Sequence, residues 1–174
     1  YLSYISNNEA VEFEEEALNI IAQKADGAMR DALSIFDQII SFSGKNITYQ
    51  DVIENLNILD FEYYFRITES FLNGNISEAL LILDEIIDKG FDGHNFITGL
   101  ASHLRDLLVS SDKETIKLLE VTEALRVRYL DQGNKCTAGF LYDALDICNQ
   151  ADLQYKVSRN QRLLIEISLV KIAN

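Results

Sequence analysis

The sequence predicts an all-α protein, and three observations support this fold class. The 174 residues include no proline, although average usage would give roughly eight or nine in a chain of this length. Apolar residues recur at i, i+3, i+4 and i+7 in nearly every segment, which is the period of an amphipathic helix. No stretch of four or more residues alternates cleanly between apolar and polar side chains, so no strand is predicted.

Three helices are predicted in the first third of the chain. Residues 13–24 open with three glutamates, Glu14 to Glu16, where the positive end of a helix macrodipole favours acids. Residues 28–42 carry a continuous apolar stripe that ends at the polar turn 43–46. Thr48 is a good N-cap residue and predicts a short third helix behind it.

A second helical region is predicted to begin near Asp60, after a border at residues 57–60. Its helices are expected at residues 61–72, 76–89, 93–109, about 114–131, 137–153 and 159–172. The last of them is apolar on more than one face, so we expect it to lie centrally and contact several neighbours. The sequence thus predicts eight or nine helices in two bundles. A helical-repeat scaffold stays open as an alternative, although no fixed-period repeat is visible.

The charge balance limits the partners that this chain can have. It contains 15 basic and 28 acidic residues, a formal net charge of −13. Proteins that grip duplex DNA or anionic lipid normally show a surplus of Lys and Arg, so direct nucleic-acid or membrane binding is not expected. No apolar run approaches the ~20 residues of a membrane span. We expect a cytoplasmic protein and, because the first residue is Tyr1 and the one methionine is Met29, a piece of a longer chain.

The residues that most often form catalytic or metal sites are scarce and scattered. Cys136 and Cys148 show no metal-ligand spacing and are expected to be reduced and buried. His94 and His103 are nine residues apart, which places them on opposite sides of a helix about 13.5 Å apart along its axis. Both are expected at the surface or at a helix end, and neither a metal site nor a catalytic site is predicted.

One segment, residues 25–38, carries a less ordinary pattern. Asp26-Gly27 is a plausible helix start, which places Arg30 in the first helical turn. A cation is mildly disfavoured there because the macrodipole already presents positive potential. Two interpretations follow from the local sequence: Arg30 forms an ordinary surface pair with Asp31, or its guanidinium and the exposed first-turn amides form a phosphate site.

The same segment resembles a known family. The run G-A-M-R-D-A-L-S-I-F-D-Q at residues 27–38, preceded by F-E-x-x-A-L-x-x-I-A-x-x-A-D, is similar to the sensor 2 helix and lid of AAA+ clamp-loader ATPases, in particular the gamma/tau subunits of bacterial DNA polymerase III. The resemblance continues through residues 48–52 and into the second region with G-N-I-S-E-A-L-x-x-L-x-x-I-I-x-x-G at 74–90. Its motifs are most specific over residues 13–56.

The resemblance implies a small lid bundle at residues 1–57 followed by a collar, or oligomerisation, bundle of five to six helices at 58–174. In such clamp loaders the lid closes over ATP held by a separate domain, and a sensor 2 arginine reaches the terminal phosphate. That arginine corresponds to Arg30, with Met29 near the base or ribose. The collar packs against neighbouring subunits in a pentameric ring that loads the sliding clamp on primed DNA, with ATP and Mg²⁺ as cofactors of the whole subunit.

The chain lacks the P-loop, the magnesium-binding acids, the zinc module and the arginine finger of the whole family member. We therefore expect that this piece alone neither hydrolyses ATP nor binds it tightly, holds no cofactor, and meets the sliding clamp and DNA only indirectly. Two alternatives remain: a stand-alone helical interaction scaffold without a nucleotide role, and the lid and oligomerisation region of another AAA+ replication or repair ATPase. The apolar stripe at 61–72 and the last two helices are the candidate interfaces.

Overall fold

A computed structural model describes residues 4, 11–26 and 28–174. The chain divides into two compact units, Tyr1–Ile58 and Leu59–Asn174. Within the described ranges there are nine α-helices, one 3₁₀ helix and a single pair of two-residue strands. The predicted all-α fold class is therefore confirmed.

The described part of the first unit contains three helices and one short strand pair. In chain order its elements are β1 (Glu12–Phe13), α1 (Glu15–Lys24), α2 (Met29–Ser43), β2 (Asn46–Ile47) and α3 (Tyr49–Asn55). The two strands are parallel and pair Glu12 with Asn46 and Phe13 with Ile47. A two-residue strand is too short to give an alternating pattern, which is why the sequence does not indicate this pair.

The core of the first unit forms where α2 crosses the strand pair. Phe36 is buried and its ring stacks on Phe13, with ring centroids 4.8 Å apart. The predicted cap on the third helix is confirmed as a complete capping box. The Asp51 amide donates to Thr48 Oγ1 at 3.1 Å, and the Asp51 carboxylate accepts from the Thr48 amide at 2.8 Å. The two hydrogen bonds that this carboxylate accepts, from the Thr48 amide and the Thr48 hydroxyl, lower the pKa of Asp51.

The second unit consists of six α-helices and the 3₁₀ helix. They are α4 (Phe61–Leu72), α5 (Ile76–Asp88), α6 (Gly93–Ser110), the 3₁₀ helix (Ile116–Leu118), α7 (Glu123–Gly133), α8 (Ala138–Tyr155) and α9 (Gln161–Ala173). The prediction of one helix over 114–131 is wrong. Leu119 adopts an extended backbone and its side chain enters the core, and Thr122 then caps α7 by accepting from the Leu125 amide.

Helix α9 lies at the centre of the second unit, as its sequence predicts. It packs against α4, α5, α6 and α8. Ile165 and Leu169 point into the core and are fully buried, whereas Leu163 and Ile167 are about half exposed on the outer face. The apolar surface of α9 therefore has two parts. One side is buried in the core, and the other side is exposed to solvent in this unit.

Candidate functional site

The candidate site lies at the N-terminus of α2. The helix begins at Met29 with Ala28 as its N-cap residue, two residues after the Asp26-Gly27 pair that the sequence suggested. Asp26 adopts a left-handed backbone with φ of 47° and ends the turn from α1. Gly27 lies outside the described residues. Helix α1 ends at Lys24 and α2 begins at Met29, so Met29 and Arg30 lie in the first turn of α2.

Both predicted site residues are accessible in the structure. Met29 is 49% exposed, and Arg30 is exposed beside it. Below them, Ala32 and Phe36 anchor the same helix in the core. Arg30 forms no ion pair or hydrogen bond through its side chain with any other residue that the structure describes, Asp31 included. The interpretation of Arg30 as half of a surface pair with Asp31 therefore has no support in the geometry.

The α2 N-terminus also lacks a side-chain cap. Seven other helices of the described ranges have an N-cap side chain that accepts from a first-turn amide, namely Thr48, Asp60, Asn75, Asp92, Thr122, Thr137 and Asn160. Ala28 has no such group. The first-turn amides of α2 and the guanidinium of Arg30 are the kinds of donor that bind a phosphate oxygen.

The surroundings of this site set limits on what it can hold alone. Positions 1–58 contain three basic residues, Lys24, Arg30 and Lys45, against ten acidic ones. A surface with this balance repels polyanions in general. No group of three His, Cys, Asp or Glu side chains within the described ranges could hold a metal ion. Arg30 and the amides suit one phosphate group, and the residues that would cradle a whole triphosphate with its Mg²⁺ are missing from the sequence.

The second unit contains a buried polar cluster that the sequence did not predict. The prediction that His103 lies at the surface or at a helix end is wrong, because the residue lies in the middle of α6 and is 2% exposed. Its Nδ1 lies 3.2 Å from the Tyr129 hydroxyl and its Nε2 lies 3.2 Å from Gln132 Oε1. Burial lowers the pKa of His103 to about 4, so the ring is neutral at pH 7. The helical period did place His103 close to the apolar stripe of α6, which was the available signal.

The remaining candidate side chains are structural. His94 lies near the start of α6 and its Nε2 is 2.5 Å from Asp152 Oδ1, while its ring stacks on Tyr155. Cys148 is buried and Cys136 half-buried, and both are free thiols. Burial raises the pKa of Cys148 to about 12 and that of Cys136 to about 11, so neither is an activated nucleophile.

The two candidate interfaces of the second unit differ in their exposure. The aromatic stripe at 61–72 belongs mainly to the core, since Tyr63, Phe65 and Phe71 are buried. Large exposed apolar side chains instead occur on α5, α8 and α9 at Leu81, Tyr142, Leu153, Leu163 and Ile167, in the turn after α8 at Val157, and elsewhere in this unit at Leu108, Leu118 and Val127. Exposed apolar side chains mark a protein interaction surface where they form a contiguous patch. No described helix has the length and hydropathy that a membrane span requires.

Comparisons with known proteins agree with the resemblance found in the sequence. Residues 1–45 match the family model described as "DNA polymerase III clamp loader subunit, ATPase lid domain". The chain is 32% identical over 173 residues to DNA polymerase III subunit tau of Bacillus subtilis (strain 168), an alignment that covers 98% of this chain and 30% of that protein. It is 31% identical over 131 residues to DNA polymerase III subunit gamma/tau of Mycoplasma genitalium, which covers 75% of this chain and 22% of that protein.

A solved structure supports the same fold. The Bacillus subtilis DNA clamp loader delta protein (YqeN) superposes with a TM-score of 0.57 at 17% identity, over 98% of this chain and 53% of that chain. At this level of identity the likeness shows the fold alone. The sequence matches confirm the predicted resemblance, because the homologues are tau and gamma/tau subunits of DNA polymerase III. The chain spans less than a third of the length of these two relatives, 30% and 22%.

Proposed function

We propose that this chain, whose homologues are DNA polymerase III tau and gamma/tau subunits, is the lid and collar part of a clamp-loader subunit that works in DNA replication. The first unit would act as the lid and report the state of a bound ATP through Arg30. The second unit would act as the collar and hold the subunit in a clamp-loader ring. ATP and Mg²⁺ would be bound mainly by a nucleotide-binding domain outside this chain, and the sliding clamp and primed DNA would be reached through the assembled complex.

The observation that carries the lid proposal is the state of Arg30. Its guanidinium is exposed and pairs with no other described residue, beside a helix end whose amides have no side-chain acceptor. A planar guanidinium can donate two hydrogen bonds to one phosphate group, so it can distinguish a terminal phosphate from its absence. Because Phe36 anchors α2 in the core, a displacement of Arg30 toward a phosphate would also move the helices that pack against α2 in this unit.

The test replaces Arg30 in the longer protein and measures ATP-dependent loading of a sliding clamp on primed DNA. We expect Arg30→Ala to reduce the loading rate by about 10- to 100-fold, because one charged hydrogen-bonding group at a developing phosphate charge is lost. Arg30→Lys should be intermediate, since it keeps the charge without the planar fork. Lys45→Ala removes an exposed cation from the same unit and is the matched control. Equal activity of the Arg30 and Lys45 variants would favour the interaction scaffold instead.

A second measurement separates this site from an independent nucleotide site. Isothermal titration of the 174-residue chain with ATP and Mg²⁺ is expected to give no saturable heat in the micromolar range, because a single guanidinium with a few amides cannot cradle a triphosphate. Saturable micromolar binding would contradict the proposal that the nucleotide is held elsewhere.

The collar proposal rests on the exposed apolar side chains of α5, α8 and α9. We place the contact with other clamp-loader subunits on these helices because Leu81, Tyr142 and Leu153 are 68–71% exposed and the α9 residues Leu163 and Ile167 are about half exposed. Leu153→Glu on α8 should weaken assembly of the subunits in size-exclusion chromatography. Leu118→Glu introduces the same charge at another exposed apolar position of the second unit and should leave assembly intact. Equal loss of assembly in both variants would overturn this assignment.

A further inference from the structure

Residues 111–135, called the strap below, follow α6 and contain the 3₁₀ helix and α7. Few side chains of the strap are fully buried: Leu119 and Tyr129 belong to the core of the second unit, and Ile116, Val121 and Leu125 pack against it only partly buried. The buried residues of the strap are Leu119, Thr122, Tyr129, Gln132 and Gly133. Leu119 is the one aliphatic side chain among them. Segments with few buried apolar contacts tend to open locally, at a free energy below that of global unfolding.

Three polar or charged contacts, each called a rung below, join the strap to α4. They join Arg128 to Glu62, Gln132 to the Phe65 carbonyl oxygen and Lys135 to Glu69. The Gln132 amide donates to the Phe65 oxygen at 2.9 Å, and Lys135 Nζ lies 3.3 Å from the Glu69 carboxylate. The partners advance by three or four residues at each step, which is one helical turn along α4, and Lys135 lies in the turn that follows α7. The guanidinium of Arg128 also lies over the Phe65 ring, 4.3 Å from its centroid.

The strap meets α6 through the buried His103 cluster. Gln132 donates to the Phe65 carbonyl, so its Oε1 is the acceptor that faces His103. His103 must then donate from Nε2 and accept at Nδ1 from the Tyr129 hydroxyl. Ser110 Oγ donates to the Tyr129 carbonyl at 3.0 Å and fixes the same turn of α7. Gln132 thus links the strap to both α4 and α6, and so does Tyr129, whose ring also lies 5.0 Å from that of Phe65 between centroids.

We propose that the strap is a conformational device that opens from α4 and α6 as one segment while the other helices of the second unit stay folded. Exposed ion pairs contribute little and are weakened by salt, so two of the three rungs are easily lost. The buried polar groups of the cluster are all hydrogen-bonded only when every member is in place. Gln132 and Tyr129 therefore leave the cluster together. Opening uncovers Phe65 and His103 on α4 and α6. The inference rests on contacts inside the second unit and is independent of the proposed nucleotide role.

The test is hydrogen–deuterium exchange of the 174-residue chain, read peptide by peptide by mass spectrometry. Arg128→Met removes the first rung and keeps an apolar stem. We expect it to speed exchange in strap peptides about 5- to 10-fold, with α5, α8 and α9 unchanged. Raising NaCl to about 1 M should also speed exchange in the strap peptides of the wild type.

Two further variants make the result specific. Glu62→Gln breaks the same rung from the exposed side of α4 and should reproduce the faster strap exchange. Arg162→Met is the matched control, because Arg162 also bridges two helices through an exposed ion pair, with Asp84 at 2.7 Å, and it should leave the strap unchanged. Faster exchange spread evenly over the whole second unit, or no change in the strap with Arg128→Met, would overturn the proposal.

Discussion

The buried His103 makes the stability of the second unit depend on pH in a way that one substitution can isolate. In the unfolded chain this histidine takes up a proton near its ordinary pKa of 6.5, whereas burial lowers the folded pKa to about 4. The folded state therefore favours the neutral ring, and the free energy of unfolding decreases as pH falls from 6.5 to 4. The shift of about 2.5 pKa units corresponds to about 3 kcal/mol of unfolding free energy.

The variant that tests this magnitude is His103→Gln, whose amide is neutral at every pH and keeps a donor for Gln132. Urea unfolding at pH 7 and pH 4, read by NMR at amides of α6, gives the unfolding free energy of the second unit. We expect the wild type to lose about 3 kcal/mol more than the variant between the two pH values. Carboxylates such as Glu62, whose pKa is lowered by its hydrogen bond from Arg128, titrate equally in both proteins and cancel in this difference.

A matched control changes a neutral amide on the same helix. Asn95→Gln alters an exposed residue of α6 and leaves His103 in place, so its pH-dependent loss should match that of the wild type. The reasoning would be refuted if His103→Gln and the wild type lost the same free energy between pH 7 and pH 4. That result would mean that His103 is protonated within the fold, or that water reaches it without unfolding of the surrounding helices.

Three other outcomes are expected. Phe36→Ala should destabilise the first unit by about 3–5 kcal/mol, measured by thermal unfolding, because it leaves a cavity where a buried ring packs. Gly133→Ala should cost about 1–3 kcal/mol, since its new Cβ would lie 2.5 Å from a neighbouring hydroxyl oxygen, whereas Gly139→Ala meets open space and should be neutral or stabilising by up to about 1 kcal/mol. A thiol reagent at pH 8 should modify Cys136 slowly and Cys148 only on unfolding, and rapid labelling of Cys148 would show that α8 opens readily.

Most of the fold could be predicted because its helices follow local rules. Helices that start at a side-chain cap and carry an apolar stripe, such as the one behind Thr48, were predicted close to their observed starts. The exception lies between α6 and α7. There Leu119 turns into the core and interrupts a segment whose polar and apolar residues suit a helix. The burial of Leu119 depends on core residues that are distant in the sequence, so the local spacing of apolar residues does not indicate it. Tertiary packing therefore overrode helix propensity in this segment.

The buried cluster of the second unit shows a second limit of sequence reasoning. A lone histidine, a glutamine and a tyrosine at separations of 26 to 29 residues carry no local pattern. They form one cluster because α7 packs against α6 and contacts α4, which brings the three polar side chains within hydrogen-bond distance. Burial of a polar residue is decided by the partners that the fold supplies, and those partners are not neighbours in the sequence.

Arg30 lies in the first turn of α2 and has no described partner for its charge. Successive side chains of a helix point about 100° apart, and although the adjacent residues Arg105 and Asp106 of α6 do form an ion pair at 2.8 Å, no such pair joins Arg30 to Asp31. Asp31 can favour the helix macrodipole from its own position without neutralising its neighbour. A guanidinium held in the first turn, with no described partner and no capping side chain beside it, is electrostatically incomplete within this unit. An anion from outside the chain would complete it, which is the reason to seek the effect of Arg30→Ala in the longer protein and its complex.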